Sequence, residues 1–215
     1  MAKAPRAGHV KTRLVPHISS EQAAELYRCF LVDTLAVACS LQDVQVAVMC
    51  PADDTGDLAP LVDGDIRVIS QTGEGLASGL TSVFRDFFAA NFDRVVAFNA
   101  DSPHIPRSFL QSAFDALETH ETVVGPTTDG GYYLIGTTRS YPGLFDHDRL
   151  GTANALDSLL RRLRTLSLKT AMLPPWYDVD IPDDLARLDA DLRLDATRAP
   201  LTAALLAQWR ASPAP

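Results

Sequence analysis

A chain of 215 residues, 47% of them hydrophobic, can bury a substantial core as one large α/β domain or two small ones. Its formal net charge of -8 argues against a duplex DNA or RNA binder, which needs a basic stripe over its phosphates, and no apolar run approaches the ~20 residues that cross a bilayer. Cys29, Cys39 and Cys50 form no CxxC pair, so they read as reduced core thiols rather than a disulfide or zinc framework, and a polar start without a signal peptide's apolar core makes the cytoplasm the default location.

The first element is a basic loop, Lys3-Ala4-Pro5-Arg6-Ala7-Gly8-His9-Val10-Lys11-Thr12-Arg13-Leu14. Five basic side chains crowd here in an otherwise acidic chain: Lys3, Arg6, His9, Lys11 and Arg13. Gly8 permits a close backbone approach, Lys11 and Arg13 supply cations and Thr12 a hydroxyl, so the loop can cradle the phosphates of a small anion; a solvated basic terminus is the plain alternative. The spacing then predicts a helix over 21–40, capped by Ser19 or Ser20, strands over 44–49 and 66–69, and a helix over 75–90 preceded by Gln71.

A strand over 94–98 leads directly into Asn99-Ala100-Asp101-Ser102-Pro103. A carboxylate at the end of a central strand lies where open α/β sheets hold ligands, and a hard oxygen donor there suits Mg²⁺ or Mn²⁺ bridging phosphates; an Asp101 that merely caps the following turn is the less favoured alternative. After a predicted helix over 106–120 come strands over 122–124 and 132–135, joined through Gly125-Pro126-Thr127-Thr128-Asp129-Gly130-Gly131. The paired glycines allow close approach of a ligand, with Asp129 beside it, or they make an ordinary β-turn. Helices over 153–164, 182–192 and 201–210 follow, and the residues after 211 read as a frayed tail.

Between the first two of these helices lies Trp176-Tyr177-Asp178-Val179-Asp180-Ile181-Pro182-Asp183-Asp184. Asp183 and Asp184 suit the first turn of a helix. Asp178 and Asp180 alternate on an extended segment, so they share a side and need a cation between them, although Asp180 alone could be a helix cap. The five histidines show no metal-ligand spacing, and neither a Walker loop nor a Ser-His-Asp order is present.

The alternation of strands and helices predicts a single α/β domain over 1–211, with a mixed, mostly parallel Rossmann-like sheet and helices on both faces. One departure stands at the start. The phosphate-binding loop of such sheets normally follows the first strand, yet no apolar run precedes the basic loop, so the first strand is expected to lie upstream of residue 1.

Together the four motifs resemble the bacterial glycosyltransferase-like proteins of the radical-SAM/selenodomain-associated and arsenosugar-biosynthesis type, from Ala2 to about Leu188. The resemblance implies the GT-A, or nucleotide-diphospho-sugar transferase, fold, shared with the guanylyltransferases of molybdopterin and phospholactate. It further implies Asp101 and Asp180 as metal carboxylates for Mg²⁺ or Mn²⁺, Lys11 and Arg13 as phosphate contacts assisting departure of the leaving group, and Asp129 on the acceptor side as a candidate base. Lys3, Gly8, Thr12, Gln71 and Gly75 complete the expected nucleotide-binding set. The family's arginine after the glycine loop is missing from Leu76-Ala77-Ser78-Gly79, and its tryptophan from Leu150-Gly151-Thr152, which leaves base and acceptor open.

Three functions follow in order of preference. Glycosyl transfer from a nucleotide-diphosphate sugar to a small acceptor comes first, because Asp-Gly-Gly-Tyr-Tyr-Leu-Ile-Gly is typical of the glycosyltransferase-like group. Nucleotidyl transfer to a phosphorylated small molecule is the alternative, and a non-catalytic nucleotide-binding module the third. The expected partners are a nucleotide or nucleotide sugar and a small acceptor, without a nucleic-acid polymer or membrane, and a homodimer is left open.

Overall fold

The computed structural model describes residues 1–146 and 154–211. Six strands are described: β1 (Ala47–Cys50), β2 (Arg67–Ser70), β3 (Val95–Phe98), β4 (Thr122–Pro126), β5 (Tyr132–Thr137) and β6 (Thr170–Met172). Between and after them lie α1 (Ser20–Cys39), α2 (Thr55–Leu58), α3 (Gly75–Ala89), α4 (Arg107–Ala116), α5 (Ala155–Thr165), α6 (Pro182–Leu194) and α7 (Pro200–Ala211). The fold is mixed α/β, as the alternation of patterns predicts.

β1 and β2 form one parallel pair, and a second sheet runs β3-β5-β4-β6. Within that sheet β5 alone is reversed: it is antiparallel to both β3 and β4, while β4 and β6 are parallel. The short link from β4 to β5, residues 127–131, explains the reversal, because a parallel connection needs a crossover of a dozen residues or more. The two sheets meet at the chain start, where the Met1 ammonium donates to the Phe98 carbonyl at 2.8 Å and the Ala2 amide to the Met49 carbonyl at 3.0 Å.

Both faces of the second sheet are covered. Successive residues of β5 point to opposite sides. Leu134 packs with Leu110 and Ala113 of α4, whereas Ile135 joins Phe84 of α3 and Leu159 and Leu163 of α5. A third apolar cluster joins Phe30 and Leu26 of α1 to Leu188 of α6 and Leu205 of α7, with Tyr177 and Val179 from the extended segment before α6.

The sequence places most elements within a few residues. α1 begins at Ser20 because Ser19 accepts from the Gln22 amide while the Gln22 side chain accepts from the Ser19 amide, a complete capping box. β1 starts three residues later than predicted, α4 stops four residues earlier, and β6 and α2 were not anticipated. The expected Leu150-Gly151-Thr152 element and the first residue of the helix predicted from 153 lie outside the described residues. Cys29 and Cys50 are buried as expected, but Cys39 is exposed, because the last turn of α1 ends at the protein surface.

Candidate functional site

The basic loop is fastened at its base. The Ala4 amide donates to Asp54 at 2.9 Å, and Arg6 spends its guanidinium on Asp54, Asp57 and the Asp53 carbonyl, at 2.6 to 2.7 Å. Arg6 therefore serves as an anchor for the loop rather than as part of a phosphate cradle, which corrects its place in the cationic cluster. Past the turn at Gly8, where φ is +78, Lys11 adopts φ 47 and ψ 37, in the left-handed region that few side chains favour. Leu14, fully buried, pins the turn that follows.

That backbone directs the Lys11 ammonium inward. Its side chain is 3% exposed and ion-pairs with Asp101 and, at 3.0 Å, with Asp180; Arg13 reaches Asp180 from the solvent side. The ammonium also lies 5.9 Å and 5.6 Å from the ring centres of Tyr27 and Phe30. Burial opposes this charge, but Asp101 and Asp180 outweigh it and raise the Lys11 pKa above its ordinary value.

The two carboxylates reach the cation from separate elements. Asp101 follows β3, where the Asn99 side chain accepts from its amide. Asp180 precedes α6, and it does not cap that helix: Asp184 accepts from the amides of Asp180 and Ile181, leaving the Asp180 carboxylate free to face Lys11. Asp178 shares the same side, as alternation along an extended segment requires. It accepts from Ser102 and Asn99, each at 3.2 Å. Burial pushes its carboxyl up to about 7, and the charges of Asp101 and Asp180 act in the same sense.

The turn between β4 and β5 carries Asp129, whose Oδ1 accepts from Thr127 and from the Gly131 amide. The turn role is thus real, and Asp129 still lines the cleft. A side chain at Gly131 would meet Thr127 Oγ1 at 2.8 Å, and one at Gly125 would meet the Tyr133 ring at 2.3 Å, so both glycines serve close packing within the protein. Gln71 donates to the Gly73 and Gly75 carbonyls, at 3.1 and 3.3 Å, shaping the loop that opens α3.

These parts border one cleft of about 960 Å³. Lys3, Lys11, Thr12 and Arg13 line it from the basic loop, and Gln71 and Gly75 from the α3 start. Asp101, Asp129 and Asp180 complete the expected set, whereas Gly8 only turns the loop outside the lining. Asp178 also faces the cleft; its alternation with Asp180 was the signal for it. Arg139, the cation nearest Asp129 in sequence, lies elsewhere, 3.6 Å from Glu121 and against the Tyr141 ring. Among the described residues no group of three or more His, Cys, Asp or Glu is arranged to hold a metal, and Asp101 and Asp180 are the two carboxylates that converge on the Lys11 ammonium. Their convergence on one buried cation fits a divalent ion that takes its remaining ligands from water and phosphate.

Comparison with known proteins identifies relatives of the whole chain. A 2-phospho-L-lactate guanylyltransferase from Methanothermobacter thermautotrophicus is 27% identical over 186 residues, covering 85% of this chain and 80% of the relative. A solved structure from Desulfovibrio desulfuricans G20, named for a nucleotide-diphospho-sugar transferase assignment, superposes with a TM-score of 0.90 at 31% identity, over 98% of this chain and 93% of that one. A cytidylyltransferase from Leptospira borgpetersenii shares the fold at 15% identity, with a TM-score of 0.59 over 86% of this chain and 84% of its own. The family described as "uncharacterized protein conserved in bacteria (DUF2064)" matches residues 34–152, more than half of the sequence. The chain therefore belongs to the DUF2064 family and has the nucleotide-diphospho-sugar transferase fold.

Proposed function

We propose that the protein is a nucleotidyltransferase that joins a nucleoside monophosphate unit, guanylyl or cytidylyl, to a phosphorylated small molecule. The observation that carries this reading is the density of cations from one loop: Lys3, Lys11 and Arg13 line the same wall of the cleft, a surface suited to a triphosphate. The guanylyltransferase relative, aligned over most of the chain, supports it.

In this mechanism a phosphate oxygen of the acceptor attacks the α-phosphorus of the triphosphate, forming a new P–O–P link. The bond from the α-phosphorus to the bridging oxygen breaks, and pyrophosphate departs with the electron pair. Lys11 and Arg13 offset the charge gathering on that pyrophosphate. To do so they exchange carboxylate partners for phosphate oxygens, which frees Asp101 and Asp180. Those two would hold Mg²⁺ or Mn²⁺, which supplies Lewis-acid neutralisation of the phosphates when bound. Asp129 and Gly131 line the same cleft, where they would position the acceptor.

Glycosyl transfer remains the second reading, favoured by the placement of Asp129 in the cleft and by the name given to the Desulfovibrio relative. The finer resemblance to the arsenosugar-type group belongs with that reading.

Titration calorimetry with Mn²⁺ separates the two. Nucleoside triphosphates should bind more tightly than nucleotide-diphosphate sugars, and GTP or CTP with 2-phospho-L-lactate or a similar phosphorylated acid should release pyrophosphate. Asp101→Asn should lose Mn²⁺-dependent binding. Preferential binding of a diphosphate sugar, with release of nucleoside diphosphate, would overturn the proposal in favour of glycosyl transfer.

A further inference from the structure

The two candidate metal carboxylates are already engaged by the protein's own cations. The Lys11 ammonium, 3% exposed, sits between them, and Arg13, 65% exposed, closes on Asp180 from solvent. Oδ1 of Asp101 and Oδ1 of Asp180 accept from Lys11, and Oδ2 of Asp180 accepts from Arg13, so three of the four carboxylate oxygens hold a cation. Two positive side chains balance two negative ones. A divalent ion arriving alone would meet a neutral cluster and would have to expel a buried ammonium that also rests near the Tyr27 and Phe30 rings.

Polyphosphate changes that balance. Lys3 and His9 line the same cleft and make no ion pair among the described residues, so they can take phosphate oxygens without losing a partner. With phosphate charge held there, Lys11 and Arg13 have an alternative to Asp101 and Asp180. Lys11 is suited to the exchange, because its ammonium is a compact charge with three donors on a flexible stem. The loop beneath it is anchored by Arg6 on Asp54 and Asp57, so the side chain can swing while the backbone stays. The carboxylates that Lys11 releases and the phosphates that it joins then make one oxygen-rich anionic pocket, the donor set that Mg²⁺ or Mn²⁺ prefers.

We propose that Lys11 is a gate on the metal site: it shuts Asp101 and Asp180 to a divalent ion until nucleotide phosphates draw it away, so that nucleotide and metal bind only together. By linkage the coupling is reciprocal, and the ion tightens nucleotide binding by the same factor as the nucleotide tightens the ion. The empty protein keeps its carboxylates neutralised and takes up no metal. The inference rests on the cleft binding nucleotide phosphates, as in the reading above, but not on which bond is then broken.

Free Mn²⁺, read from its electron paramagnetic resonance signal, measures the gate, with matched protein-free samples to account for ion held by the nucleotide itself. The wild type should bind Mn²⁺ alone at least about tenfold more weakly than it does with GTP, CTP, GDP-mannose or CDP-glucose at saturation, whichever of them binds. Lys11→Met should bind Mn²⁺ alone at least about tenfold more tightly than the wild type, with nucleotide adding little. Arg13→Met removes the same charge from the exposed side and should shift the affinity much less, because Lys11 still lies between the carboxylates. Equal Mn²⁺ affinity of the wild type with and without all four nucleotides would overturn the inference, and that comparison decides it even if Lys11→Met does not fold. Equal shifts in the two variants would overturn it as well, since net charge rather than occupancy would then govern the site. Coupling to a diphosphate sugar alone would count against nucleotidyl transfer and leave the gate standing.

Discussion

Lys11 bears two costs, a left-handed backbone at φ 47 and a buried ammonium, and Asp101 and Asp180 offset both only while the cation stays between them. Lys11→Met removes the charge but keeps the apolar stem, leaving two facing carboxylates with Asp178 behind them. Because Asp101 and Asp180 are 32% and 28% exposed, the loss should be about 2–4 kcal/mol, read by urea unfolding. The variant also tests the metal site directly. If the carboxylates hold a divalent ion, Mn²⁺ should raise the Tm of Lys11→Met more than that of the wild type, where the ammonium competes; an equal shift would count against these ligands. The carboxylates were legible in the sequence because Asp101 follows an apolar run and Asp180 alternates with Asp178. Arg6 was misread, since nothing in its local sequence shows that Asp54 and Asp57 would fold against it.

The ends of helices show where local sequence carries the fold and where it does not. Ser19 and Gln22 cap α1 from within three residues, and that start is readable. α7 begins at Pro200, and its cap position is Ala199 rather than Ser, Thr, Asp or Asn. Its acceptor comes from α1 instead: Asp33, 2% exposed, accepts from the Leu201 amide at 3.1 Å, the Thr202 amide at 2.8 Å and the Thr202 hydroxyl at 2.7 Å. A cap 168 residues away in sequence cannot be seen by any local pattern. Asp33→Ala would strand these donors and should cost about 2–4 kcal/mol, while Asp33→Asn, which keeps one acceptor, should cost less. Neither should alter nucleotide affinity at temperatures where the protein is folded, because Asp33 and α7 lie outside the cleft lining. β6 escaped prediction for a different reason. Three residues, Thr170–Met172, on the edge of a sheet are too few for a periodic signal, and only pairing with β4 makes them a strand.

The stability of the whole molecule should carry the imprint of one histidine. His104, fully buried in the link from β3 to α4, packs on the Trp176 and Tyr177 rings ahead of α6 and gives its carbonyl to Arg198 ahead of α7. Three distant segments thus close on one histidine, through its ring and its main-chain carbonyl, and sequence spacing could mark it only as core or surface filler. Neither ring nitrogen has a hydrogen-bond partner, and burial lowers the pKa to about 3, with the charge of Arg198 acting in the same direction. In the unfolded chain His104 takes up a proton below about pH 6.5, whereas in the folded protein it stays neutral, so acid favours unfolding. The loss begins as pH falls through the unfolded value and continues down to the folded one, at up to about 1.4 kcal/mol per pH unit. His104→Phe keeps an aromatic ring against Trp176 and Tyr177, breaks no side-chain hydrogen bond and removes the proton linkage. Its unfolding free energy between pH 6.5 and 4 should fall less steeply than that of the wild type by that amount, measured by urea titration at several pH values. Parallel curves for the two proteins would mean that water reaches the imidazole in the folded state and that these three segments are less tightly closed than their packing implies.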